Sequence, residues 1–192
     1  MPPKNQATII KEYKKRLATN ISDADIRRYF PDANANIITY KDFGKYNDIR
    51  QLLPQDKSYK IVLIEDSKNH GHWTCIMRYG DTIESFDSYG SGELENEFKF
   101  IPRAIRAMFG ETHYYLKDLL RKAKKGGARV VYNRDRLQAD HEGINTCGRW
   151  CILRLLMMKE MNYDLAEFCR FMDETAEETG KPADILVVDF IR

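Results

Sequence analysis

The apolar positions fall into two rhythms. Residues 60–65 run Lys, Ile, Val, Leu, Ile, Glu, a short and mostly β-branched block that reads as a buried strand. Residues 72–79 (HWTCIMRY) read as a second strand and residues 82–87 (TIESFD) as its returning partner. Gly80 and Asp81 between them form a tight hairpin signal. Residues 128–133 (ARVVYN) supply a further strand. The helical rhythm opens the chain, where Ile9, Ile10, Tyr13 and Leu17 recur at helical spacing among lysines over residues 6–18. Ser22, or Asn20 just before it, is placed to cap a short helix running to Phe30, which Pro31 closes. Residues 47–53 form another short helix, ended by Pro54. Helices are predicted at 93–108 and at 113–125, the second broken by Gly126 and Gly127. After a loop at residues 140–145, Thr146 or its predecessor opens a long apolar helix over 147–161. Helices at 163–178 and after Pro182 complete the chain. The pattern predicts an α+β fold over residues 1–192 as one domain: a small, mostly antiparallel sheet flanked by helices.

Composition supports a packed domain. Of 192 residues, 43% are hydrophobic, 11% aromatic and 31% charged, and a disordered chain would have fewer aromatics and a larger net charge. A chain of this length buries roughly 70% of its unfolded surface, enough for a core without staples. The net charge of +2 demands neither nucleic acid nor membrane as partner. No apolar run reaches the ~18 residues of a membrane span, and residues 1–5 carry no apolar signal-peptide core. The four cysteines, Cys75, Cys147, Cys151 and Cys169, form no CxxC pair and are expected as reduced thiols of an intracellular protein.

A reduced thiol raises the question of nucleophilic chemistry, which needs a histidine, a group that orients it, and donors for an oxyanion. Cys147 lies where a polar loop enters an apolar helix. The positive end of the helix dipole and the unpaired N–H groups there favour thiolate. Gly148 would let a substrate backbone approach. Cys75, Cys151 and Cys169 lie mid-strand or on apolar helix faces and read as structural. His72, at the start of a strand, titrates near neutrality and can move a proton both ways. Trp73, on the opposite side of that strand, fills the core or walls the site. Asp87 ends the returning strand, so the hairpin sets it beside His72, where it would accept the histidine Nδ1–H. Gln138, nine residues before Cys147, offers a neutral amide donor for the oxyanion, with the Cys147 N–H as the second donor.

Taken together, Gly71, His72 and Trp73, then Phe86, Asp87, Ser88, Tyr89 and Gly90, then Gln138, then Thr146, Cys147, Gly148, Trp150 and Cys151 resemble the adenovirus maturation protease family. Its relatives include the SUMO and ubiquitin-like-specific proteases and the proteases of virophages and Maverick/Polinton elements. The similarity spans roughly residues 60–160. It implies a mixed α/β fold with the nucleophile at the N-terminus of a central helix. By the same resemblance Cys147 is the nucleophile, His72 the general base and then acid, Asp87 the orienting carboxylate and Gln138 the oxyanion donor. The interval from Gln138 to Cys147 is longer than in close relatives.

The resemblance further implies a cysteine endopeptidase that cleaves after glycine. Its substrate would be a polypeptide such as a viral capsid precursor, processed in the host cell cytoplasm or viral factory or within the virion. It also suggests a DNA or peptide activator, with Cys169 or Cys75 as the thiol for a disulfide to the peptide. Two readings compete: an isopeptidase acting on ubiquitin-like tails, and a zinc-binding module using His70, His72, Cys147 and Cys151. The basic stretch at residues 117–136 (Lys117, Arg121, Lys122, Lys124, Lys125, Arg129, Arg134, Arg136) is either a solvated face or a nucleic-acid contact. A monomer without membrane association and without a metal is expected.

Overall fold

The computed structural model describes residues 6–33, 36–90, 92 and 101–192. Five strands form one mixed sheet in sequence order: β1 (Ile37–Thr39), β2 (Tyr59–Ser67), β3 (His70–Tyr79), β4 (Thr82–Phe86) and β5 (Arg129–Tyr132). The central pairs, β2 with β3 and β3 with β4, are antiparallel. The two edge pairs, β1 with β2 and β4 with β5, are parallel. The class is the expected α+β, with antiparallel hairpins at the centre and a parallel strand added at each edge.

The apolar block in β2 is explained by burial on both faces. Ile61 and Leu63 join Trp73, Cys75, Met77 and Phe86 against α6 (Cys147–Met161), while Val62 and Ile64 join Ile76 and Ile83 against α5 (Tyr115–Lys125). A strand covered on both faces has no polar side to alternate with. Helix α6 is likewise closed in all round: residues 148–155 are all buried. The remaining helices are α1 (Gln6–Ala18), α2 (Asp23–Tyr29), α3 (Ile49–Leu52), α4 (Arg103–Met108), α7 (Leu165–Thr179) and α8 (Ala183–Phe190). Ser22 caps α2 through a full capping box with Asp25. Of the helix expected over 93–108, only Arg103–Met108 is described; residues 93–100 lie outside the described residues.

Sequence pattern missed β1 and the short 3-10 helix Tyr40–Lys45 behind it. Three residues are too few for a period to show. The strand exists because its backbone pairs with β2, from Ile37 opposite Ile61 to Thr39 opposite Leu63, and because Asp42 accepts from both the N–H and the hydroxyl of Thr39.

Two buried polar contacts tie the layers. Arg154 of α6 meets Glu84 of β4 through paired bonds of 2.7 and 2.6 Å, with both side chains fully buried, and Tyr79 donates to the same carboxylate at 2.7 Å. Removing one partner from such a pair leaves an uncompensated charge, at a cost of about 3–5 kcal/mol. Beyond the far end of β2, Glu111 is fully buried and accepts the Glu65 N–H at 3.0 Å. Burial pushes its carboxyl up from 4.5 to about 7; the Glu65 N–H opposes the rise, the Glu65 carboxylate adds to it, and Lys41 and Arg106 oppose it.

Because the folded state holds that proton more tightly than the unfolded chain, the contribution to stability is full below pH 4.5 and is lost as pH rises to about 7. Melting curves between pH 4.5 and 8 should therefore show this loss in the wild type and lack it in Glu111→Gln. About 1 kcal/mol corresponds to ~2–4 °C for a domain of this size. Parallel pH dependences in the two proteins would contradict the assignment.

Candidate active site

Strand β3 is longer than its neighbour β4. The last β3–β4 pair joins Cys75 to Phe86, yet β3 goes on pairing with β2 as far as His70. Residues 70–74 thus have an open edge on the β4 side. Gly71 is required by this arrangement, since a Cβ there would lie 1.9 Å from the Ile64 carbonyl oxygen.

His72 and Asp87 meet across this opening. His72 Nε2 lies 2.7 Å from Asp87 Oδ1, with the two side chains 14% and 7% exposed. The expectation of an Nδ1 contact is corrected: Asp87 takes Nε2, because it approaches from the end of β4. That leaves Nδ1 as the ring nitrogen for the thiol. Asp87 is itself fixed. Its Oδ1 also accepts the Tyr89 N–H at 3.0 Å, and its backbone N–H and carbonyl are both held by the Asn133 side-chain amide. The Tyr89 ring stacks on His72, centroids 4.8 Å apart and 27° between planes.

Cys147 is the first residue of α6, and its sulfur accepts hydrogen bonds from His72 and from the backbone N–H groups of Trp73 and Gly148. A backbone N–H of a strand points in the plane of the sheet, so the sulfur occupies the edge that β4 vacates. The N-cap, Thr146, makes no side-chain bond to the helix, which leaves the first-turn N–H groups uncapped.

The electrostatics follow from these contacts. Burial opposes a charge on the sulfur, but the hydrogen bond and charge of His72, then the Trp73 and Gly148 N–H groups, outweigh it and lower the Cys147 pKa. Burial likewise opposes protonation of His72, but the Asp87 carboxylate and the Cys147 sulfur raise its pKa to about 10. The two shifts run in the directions in which a thiolate and an imidazolium stabilise each other. The other thiols move the opposite way. Burial and contact with Cys75 push Cys151 well up, and burial with the Asp135 charge pushes Cys169 to about 11.

Gln138 is buried, with its N–H on the Ser88 carbonyl at 2.9 Å and its side-chain oxygen accepting the Ser88 hydroxyl at 2.8 Å. Its amide nitrogen donates to the Tyr89 hydroxyl and to the Ile144 carbonyl, both at 3.2 Å. Gln138 therefore faces the site through Tyr89. Burial, then the Cys147 charge, pushes that hydroxyl up to about 12, so it stays protonated.

Gly148 departs from expectation. A Cβ on it would meet Ile21 Cβ at 2.8 Å and Trp73 Cδ1 at 3.2 Å, so the space it leaves is filled by this chain rather than left for a substrate. Trp73 is buried against it and donates its indole N–H to the Ile21 carbonyl at 3.0 Å. Residues 17–21 cross the site as a strap. The Leu17 and Ala18 carbonyls accept from the Asn145 backbone and side chain at 2.7 and 2.9 Å, and the Thr19 carbonyl from Arg149 at 2.7 Å.

Other expectations fall elsewhere. Cys75 is buried, closed to an external peptide, while Cys169 is half-buried in a groove of about 330 Å³ beside β5. The cations Arg121, Lys122, Lys124 and Lys125 lie exposed on α5, whose opposite face buries Leu116, Leu119 and Leu120; Arg129, Arg134 and Arg136 are exposed after it. Among the described residues, no group of three or more His, Cys, Asp or Glu side chains could hold a metal ion, and no helix is long and apolar enough to cross a membrane. Tyr89, Asn133 and Asp184 were missed by sequence reasoning. Tyr89 had a signal, two residues after Asp87 in the same run, whereas Asn133 and Asp184 act across 46 and 38 residues with no local mark.

No protein-family profile matches the chain. Over 179 residues, 93% of this chain and 97% of the relative, it is 35% identical to the uncharacterized protein V9 of Sputnik virophage.

The fit around Gly148 is testable by stability. Gly148→Ala should destabilise the protein by about 1–3 kcal/mol, the range for overpacking a core. The double variant Gly148→Ala, Ile21→Ala should lose less than the two single changes summed. Additive losses in denaturant melts would contradict the contact.

Proposed function

The chain belongs to the family of the Sputnik virophage protein V9, and from the geometry around Cys147 we propose that it is a cysteine endopeptidase with His72 and Asp87 as the other members of its triad. The observation that carries the reading is the continuous contact from Asp87 through His72 to a sulfur with a lowered pKa at an uncapped helix N-terminus. A purely structural cysteine would not need the orienting carboxylate or the open strand edge.

In this reading the Cys147 thiolate attacks the carbonyl carbon of the scissile peptide. The carbonyl π electrons move to oxygen, and the resulting oxyanion takes the Cys147 N–H and the Gln138 amide, which exchanges its bond to Tyr89 for one to substrate. His72 gives its proton to the departing amine as the C–N bond breaks, leaving a thioester. Neutral His72 then takes a proton from water, whose oxygen attacks the thioester. The acid product leaves and the thiolate–imidazolium pair is restored. Asp87 keeps Nδ1 aimed at sulfur and stabilises the imidazolium throughout.

A groove of about 450 Å³ is lined by residues including Ile21, Ile38, Leu63, His70, Gly71 and Trp73, the last two flanking His72 in sequence, and suits an extended polypeptide. Ile21 and Trp73 also pack on Gly148 beside Cys147, and that crowding favours glycine before the scissile bond. The virophage relative is the reason to place the substrate among viral structural precursors, processed in the infected cell or virion. The exposed cations of α5 are the candidate face for a nucleic-acid activator. Phosphate contacts there would weaken steeply with salt, and salt-indifferent binding would count against that role.

Wild type and Cys147→Ala, incubated with a proteome-derived peptide library and read by mass spectrometry, should differ in new termini that follow glycine. Termini that persist in Cys147→Ala would overturn the assignment. Capture at Cys147 of ubiquitin or SUMO probes with a C-terminal electrophile, without peptide cleavage, would turn the reading to an isopeptidase. For a cleaved peptide, kcat/KM should rise as the Cys147 thiol ionises, below its ordinary range, and fall as His72 loses its proton near pH 10. A profile with its falling limb near the ordinary histidine value of about 6.5 would contradict the ion pair.

A further inference from the structure

Asp184, in the first turn of α8, is 6% exposed, and three donors from two segments of the active centre meet on its carboxylate. Oδ1 accepts the Thr146 hydroxyl and, at 3.2 Å, the Trp150 indole N–H; Oδ2 accepts the Ala139 N–H at 2.8 Å. Thr146 directly precedes Cys147, Trp150 is in the first turn of α6, and Ala139 directly follows Gln138. We propose that Asp184 is the positioning residue of the oxyanion side of the site, holding Gln138 and the N-terminus of α6 at a fixed separation. This assignment rests on the peptidase reading.

Two physical consequences support it. A threonine at an N-cap ordinarily turns its oxygen to an N–H of the first turn. Here the hydroxyl donates to Asp184, and Thr146 makes no cap bond. The hydroxyl thereby ties the N-cap of α6, and with it the Cys147 N–H, to α8. The Ala139 bond does the same service from the other direction. The Gln138 backbone is held by the Ser88 carbonyl on one side and, through its neighbour, by Asp184 on the other. The side-chain amide then has a fixed origin from which to swing between Tyr89 and a substrate oxygen. A buried carboxylate with three donors and the positive ends of α6 and α8 beside it is a compensated charge, so its retention is not costly.

The test separates Asp184 from the triad. Asp184→Asn keeps the shape but replaces one accepting oxygen by a donor group, so one of the three contacts must fail. Two quantities are measured: alkylation of Cys147 by iodoacetamide against pH, without substrate, and kcat and KM on a glycine-containing peptide that the wild type cleaves. The alkylation profile should be retained, because the sulfur depends on His72, Trp73 and Gly148. KM should change little while kcat falls about ten- to hundredfold, approaching the loss of an oxyanion donor. Thr146→Val should lower kcat in the same sense, and Thr146→Ser, which keeps the hydroxyl, should restore it; this pair decides the matter if Asp184→Asn does not fold. An unchanged kcat, or a loss of alkylation in parallel with kcat and melting temperature, overturns the assignment while leaving the peptidase reading intact. A wild type that cleaves no peptide overturns both.

Discussion

The site depends on a mismatch of strand lengths. Were β4 to continue past Phe86, its backbone would take the Trp73 N–H and fill the edge of β3 where the Cys147 sulfur now sits. Ending β4 there does three things at once. It frees the Trp73 N–H to face the Cys147 sulfur, it turns Asp87 out of the ladder so that its carboxylate can reach His72 Nε2, and it admits the N-terminus of α6 to the sheet edge. The Asn133 amide replaces the lost ladder partner by holding both backbone groups of Asp87, so the strand ends without leaving them unsatisfied.

An open edge would be of little use if α6 could slide along the sheet. The Arg154–Glu84 pair addresses this. Arg154 follows Cys147 by seven residues, two helical turns on the same face, and Glu84 precedes Asp87 by three. A fully buried bidentate pair tolerates little displacement, so the helix carrying the thiol and the strand carrying the carboxylate are locked in one register. The strap at residues 17–21 closes the other side, its carbonyls spent on Asn145, Arg149 and Trp73.

How much of this was legible in the chain follows from range. The hairpin and the long helix were readable because their signals are local: a two-residue turn between alternating runs, and an apolar segment entered from a polar loop. The neighbourhood of His72 and Asp87 followed from the hairpin alone. Which imidazole nitrogen faces Asp87 did not, since it depends on where β4 stops. Gly148 was read as an opening because a glycine beside a cysteine suggests access, and only the packing of Ile21, over a hundred residues away, shows otherwise. The edge strand β1 exists through pairing with β2 and leaves no pattern of its own, and Asp184 is an ordinary first-turn aspartate until the fold brings three donors to it.

The central claim is a preformed thiolate at Cys147, and the most direct measurement is the thiolate absorbance near 240 nm. Wild type minus Cys147→Ala should show excess absorbance at pH 7, vanishing on acidification below the depressed pKa, and the excess at neutral pH should be lost in His72→Ala. No difference between wild type and Cys147→Ala at pH 7, with absorbance appearing only above the ordinary thiol value of about 8.5, would contradict the account.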